Sequence, residues 1–169
     1  MEARTVEESR SVLVQWMGPT HANSAGFVHG GVVMKLIDEV AGVAAVRHSR
    51  SRVVTAGADR LTFLQPIHVG ELLTLNASVN AAWHTSMEVG VRVQTEDPRT
   101  GEIRHTNSAY LTMVAVDGDG RPSPVPALIA SSPDELRREA EAQLRRSNRL
   151  AEREQILEQR GREGVAPEV

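Results

Sequence analysis

Apolar and polar side chains alternate along three stretches of the chain. From Leu72 to Asn80, Leu73, Leu75, Ala77 and Val79 fall on one face and Thr74, Asn76, Ser78 and Asn80 on the other, the period-two pattern of a half-buried strand. Glu88 to Gln94 repeats it with Val89, Val91 and Val93 inward, and Arg104 to Val116 with Ala109, Leu111, Met113 and Ala115 inward. Ser11 to Met17 has the β-branched and aromatic content of a first strand ended by Gly18-Pro19. Val53 to Phe63 is a long extended stretch in which Gly57 marks a bend or bulge. Between these last two the pattern changes. Val32 to Val46 is almost wholly Val, Ile, Leu, Met and Ala, too long a run for one strand, and predicts a helix buried on most sides. Strand, helix, then four strands joined by short turns is an α+β order: a curved antiparallel sheet wrapped around a central helix.

The flanks divide the chain further. Residues 1–10 are polar and predict a frayed, flexible N-terminus; residues 11–127 form the globular domain; residues 128–169 form a C-terminal helical extension and tail. The extension opens on Ser132-Pro133-Asp134-Glu135, a capping box with Pro at the first helical position. Leu136, Ala140, Leu144, Ala151 and Leu157 give that charged helix a narrow apolar stripe, which either packs on a surface or leaves the helix mostly solvated and fraying past Gly161.

Composition narrows the function classes. A chain of 169 residues suits one domain with an appendage, and with two Phe, two Trp and one Tyr its core rests on Val, Leu, Ile and Ala. A net charge of -3 gives no general attraction to nucleic acid or to anionic membranes. The absence of cysteine removes disulfides, thiolate metal sites and cysteine nucleophiles. His21, His29, His48, His68, His84 and His105 lack the paired spacing of a zinc site, so no metal is expected. The N-terminus has no basic-then-apolar leader and no run is long enough to cross a bilayer, so the expected location is the cytoplasm, without membrane attachment.

Chemistry concentrates between Ala22 and His48. Asp38 interrupts the apolar run at the edge of its polar face, where a carboxylate needs a reason. His29-Gly30-Gly31 stands where a helix's first turn leaves backbone N–H groups unpaired, and the dipole adds roughly half a positive charge there. Gly30 and Gly31 are therefore candidate donors to a polarised carbonyl oxygen, Asn23 a candidate amide donor nearby, and Asp38 a candidate nucleophile or base. The structural alternative pairs Asp38 with Lys35, makes the glycines packing residues and makes Asn23 an Asx-turn residue. Arg47, Arg50 and Arg52 at the helix exit fit either a nucleotide phosphate or a solvated helix cap.

The motif set ANSAGFVHGG, an acid on the following helix at Asp38, RH at that helix's end and a later FLxPxxxGE (Phe63, Leu64, Pro66, Gly70, Glu71) resembles that of the hot dog fold thioesterases. It is most similar to the cytosolic acyl-CoA hydrolases and YciA-like enzymes, over about Ser11 to Val116. The resemblance implies hydrolysis of acyl-CoA to free acid and CoA without a bound cofactor. It implies catalytic roles for Asn23 and Asp38, CoA-chain contacts at Thr85 and Ser86, and a homodimer as the minimal unit, assembled as a hexamer of three dimers. The other reading is a non-catalytic acyl-CoA-binding module. His29 is a candidate substrate contact that shapes the loop beside the oxyanion site, and in the other reading it simply satisfies backbone groups. Helix geometry adds a constraint of its own: Gly30 and Asp38, eight residues apart on one helix, are separated by roughly 12 Å, so one carbonyl cannot touch both.

Overall fold

The long apolar run is a helix, and residues on either side extend it to Gly30–Ser49. In the computed structural model, which describes residues 1–161, the elements in order are β1 (Arg4–Thr5), α1 (Val6–Ser9), β2 (Ser11–Trp16), α2 (Gly30–Ser49), β3 (Arg52–Ala58), β4 (Leu72–Ala82), β5 (Ser86–Glu96), β6 (Ile103–Val116), β7 (Leu128–Ile129) and α3 (Pro133–Gln159). Strands β2, β4, β5, β6 and β3 form one antiparallel sheet in that order, so the strand before α2 and the strand after it lie at opposite edges. The sheet curls around α2 in a hot dog arrangement, and α3 lies against its outer face.

The core sits between α2 and the inner face of the sheet. Val33, Ile37, Val40, Ala41, Ala44 and Ala45 of the helix meet Leu73, Leu75, Val79, Val89, Val91, Val93, Leu111 and Met113, the inward positions of the alternating pattern. Each large aliphatic side chain buried this way contributes roughly 1.5–3 kcal/mol of transfer free energy. Small alanines along one side of α2 let helix and sheet approach closely.

Two expectations change, and one open alternative is narrowed. The first ten residues are not frayed: β1 pairs in parallel with β7, Val6 and Ser9 are buried, and Ser9 Oγ accepts the N–H of Val79 at the bulge in β4. The strand expected to reach Phe63 stops at Ala58, after an irregularity between Thr55 and Gly57 in its pairing with β6. Of the two readings of α3, the first part of its apolar stripe follows the solvated one in the single chain. Leu136 is 51 % and Leu144 62 % exposed, whereas Ala142 and the stems of Arg145, Arg146 and Arg149 face the sheet. Helix α3 begins with the capping box, Ser132 Oγ accepting from the Glu135 N–H and Glu135 Oε2 from the Ser132 N–H. The tail beyond Gly161 lies outside the described residues.

Candidate active site

His29 caps α2, and the cap decides which amides are free. Its Nδ1 accepts the N–H of Gly31 at 2.9 Å, and its carbonyl accepts from Val32 and Val33. Gly31 is therefore not an available donor, contrary to the expectation from the HGG motif. The N–H of Gly30 has no partner among the described residues, and it stands at the positive end of a 20-residue helix. Glycine suits the close approach there: a Cβ on Gly30 would lie 3.3 Å from the Phe63 ring, a tight contact. The rest of the FLxPxxxGE motif holds the loop that carries Phe63. Glu71 accepts from the His68 N–H at 2.8 Å and from Arg104, which also donates to Gln65, while Gly70 turns the chain at φ +96°.

Asn23 lies in a tight loop whose arms are joined by an Ala22–Val28 bridge and by His29 N–H to the carbonyl of His21, so this loop is pinned to the start of α2. Its Oδ1 accepts from the N–H groups of Ala25 and Phe27 at 2.9 and 3.2 Å. Asn23 is thus an Asx-turn residue, and its Nδ2 remains as a donor with no partner among the described residues.

Asp38, two turns further along α2, is exposed in the single chain. It is not the partner of Lys35, which pairs with Glu39 at 3.5 Å. Its Oδ1 instead accepts the hydroxyl of Thr55 at 2.6 Å, a charge-assisted bond from β3 that fixes the carboxylate and leaves Oδ2 free. Sequence reasoning missed Thr55. The available signal was Gly57, because the irregularity beside it falls where β3 turns Thr55 toward α2.

Thr85 and Ser86 are not brought to these groups. Ser86 is on the outer face of the sheet, buried beneath α3 with Arg146 3.4 Å from its hydroxyl; Thr85 is half-buried in the β4–β5 turn, its carbonyl held by the N–H of Ala115. Of the exit arginines, Arg47 donates to the carbonyl of Arg10 and Arg50 ends α2 in the left-handed conformation, φ 54°.

The family model described as the thioesterase superfamily matches residues 25–102. Protein VdlD of Helicobacter pylori is 42 % identical over 79 % of this chain and 76 % of its own length. YkhA of Bacillus subtilis, named an uncharacterized acyl-CoA thioester hydrolase, is 36 % identical over 80 % of this chain and 78 % of its own. Among solved structures, a hexameric acyl-CoA thioesterase superposes with a TM-score of 0.87 at 38 % identity, covering 90 % of this chain and 97 % of that one. An acyl-CoA hydrolase of Staphylococcus aureus, in complex with butyryl coenzyme A and coenzyme A, does so with a TM-score of 0.83 at 32 % identity, covering 93 % and 98 %. Alanine variants of that staphylococcal enzyme are also known at an Asn, an Asp and a Thr, spaced along its chain as Asn23, Asp38 and Thr55 are along this one. Fold, motifs and these likenesses together make the chain a member of the thioesterase superfamily, one of the hot dog fold acyl-CoA thioester hydrolases.

Proposed function

We propose that this chain hydrolyses acyl-CoA at a site shared between two copies of itself. The observation that carries the reading is that the free N–H of Gly30 and the exposed carboxylate of Asp38 stand on one continuous helix, roughly 12 Å apart. A reacting carbon must lie about 3 Å from both kinds of group, so Gly30 of one copy works with Asp38 of another.

The surface around Asp38 supports this arrangement. The outer edge of β3 has no strand paired to it among the described residues, Val54 is exposed on that strand, and Met34, Val43 and Val46 are exposed on α2. An open apolar edge of this kind is completed by a second edge. We place the dimer there, with α2 helices antiparallel across a two-fold axis, and take a hexamer of three such dimers as the larger assembly, as the hexameric relative suggests.

In the working site the Gly30 N–H polarises the thioester carbonyl. His29, whose Nδ1 is occupied by Gly31, presents Nε2–H beside it when neutral, and serves as a substrate contact. The Nδ2 of Asn23 orients water or substrate. Asp38 Oδ2 from the other copy takes a proton from water or attacks the carbonyl carbon, and Thr55 holds it in line. The thiolate of CoA leaves with a proton; where water attacked, the acyl group departs as the carboxylic acid, and where Asp38 attacked, water then hydrolyses the acyl–Asp38 anhydride to release the acid and restore the carboxylate. A cytoplasmic location accords with a CoA ester as substrate; no described helix is long and apolar enough to cross a membrane.

Complementation tests the shared site. Chains carrying Asn23→Ala are co-expressed with chains carrying Asp38→Ala, and hydrolysis of acyl-CoAs from acetyl to palmitoyl is followed by released thiol. A mixed dimer then has one site with both defects and one intact, and random pairing returns about a quarter of wild-type activity. Activity no higher than that of the two variants alone, in a preparation shown to contain mixed dimers, would place both residues in one chain's site.

A further inference from the structure

The outer face of the sheet holds a cleft unrelated to the α2 site. It has a volume of about 420 Å³, within the range of small-molecule sites, and lies between the first half of α3 and strands β4, β5 and β6. Its floor is a lattice set by strand register. Asn76 lies beside Arg92 and Arg92 beside Ser108, while Ser78 lies beside Gly90 and Gly90 beside Tyr110. Gly90 makes a dimple at the centre. Asn80 leans over it, so a Cβ on Gly90 would come within 2.5 Å of the Asn80 amide nitrogen.

The polar groups of this floor keep bonding capacity open to the cleft. Ser78 is 7 % exposed and its hydroxyl has no partner among the described residues. Asn80 is 3 % exposed; its Nδ2 donates to Glu88 and its Oδ1 is unpaired. Side-chain groups that solvent reaches and no neighbour engages are available to a ligand. The charge on the walls is positive where it is uncommitted. Arg10 is held by Glu7 and Glu135, and Arg137 and Arg138 share Asp134, but Arg92 has no carboxylate partner among the described residues. An exposed guanidinium beside hydroxyl and amide groups suits a phosphate carried on a hydroxylated body. A stacked base is disfavoured, because Arg145 covers the Tyr110 ring at 3.6 Å and Arg146 the Trp83 ring at 4.4 Å.

We propose that this cleft binds a small polyhydroxylated phosphate monoester of the sugar-phosphate class, with Arg92 on the phosphate and Ser78, Asn76 and the Asn80 amide oxygen on the hydroxyl groups. The test is titration calorimetry of the full chain with ribose 5-phosphate, inorganic phosphate and ribose as separate probes. Ribose 5-phosphate is expected to saturate below about 10 mM, and Arg92→Ala to weaken it by about tenfold to a hundredfold. Ser78→Ala should weaken ribose 5-phosphate but not inorganic phosphate. Binding should persist in Asp38→Asn and in saturating CoA, so failure here is separable from failure of the shared-site reading. Absence of saturation, or unchanged affinity in Arg92→Ala, would overturn the site. Displacement by CoA would assign the phosphate to the substrate's own site instead. Equal binding of inorganic phosphate and ribose 5-phosphate would overturn the sugar part of the assignment.

Discussion

Two carboxylates on opposite sides of the sheet are treated in opposite ways. Glu88, on the outer face, is 0 % exposed and accepts from Asn80 Nδ2 and from the Nε and Nη2 of Arg145, with Arg149 3.5 Å away. Asp38, on the helix side, is exposed and accepts one hydrogen bond, from Thr55. A carboxylate whose lone pairs are all engaged by cations and amides has no oxygen left to take a proton from water. One fixed at a single oxygen keeps its direction and its reactivity. Burial and full pairing thus mark Glu88 as the pin that holds α3 to the sheet, and light pairing accords with the reactive role proposed for Asp38.

The contrast breaks most visibly at the buried end. Glu88→Ala strands Arg145 and should cost about 3–5 kcal/mol of unfolding free energy, read from the urea midpoint, with kcat per folded molecule unchanged. A loss near that of a surface pair would mean that solvent reaches Arg145 freely.

At the other end, Asp38→Asn should leave the urea midpoint in place and lower kcat by at least about a hundredfold, since shape is kept and the base or nucleophile is lost. An unaltered rate would move Asp38 into the same structural role as Glu88.

Thr55→Ala sharpens the comparison from within the site. Freed from β3, Asp38 should still react but less often in line, so kcat is expected to fall by about tenfold with KM nearly constant. A rise in KM alone would instead make Thr55 a substrate contact.

The smallest effect concerns a buried group that does neither job. Burial, aided by the charge of Arg4, holds His48 below the ordinary histidine value, while its bond to the Pro126 carbonyl opposes this. The unfolded chain then takes the proton first. Stability is complete above about pH 6.5 and falls as the pH drops toward the lowered value. His48→Gln should flatten that slope in pH-dependent urea melts, and a slope that survives the substitution would assign it to another group.

The sequence by itself determined the inner half of the molecule. Period-two alternation in β4, β5 and β6 and the apolar run of α2 name the core correctly, because burial on one face must be written into every second strand position and nearly every helix position. The HGG, AN and FLxPxxxGE motifs located Gly30, Asn23 and the loop carrying Phe63, and helix rise alone separated Gly30 from Asp38. What tertiary structure decided was partnership. Whether Gly31 was free depended on a ring torsion of His29, and whether Asp38 was paired depended on Thr55, which arrives from another element after a strand irregularity. The outer face was hidden for the same reason. Alternation predicted that Ser78 and Asn80 would face water, but a helix whose sheet-facing side is arginine rather than leucine packs over the outer face beside them through Glu88 and Tyr110. Hydrophobic patterning reads contacts made by excluding water. Contacts made by pairing charges leave no periodic trace, and only the folded chain brings their two halves together.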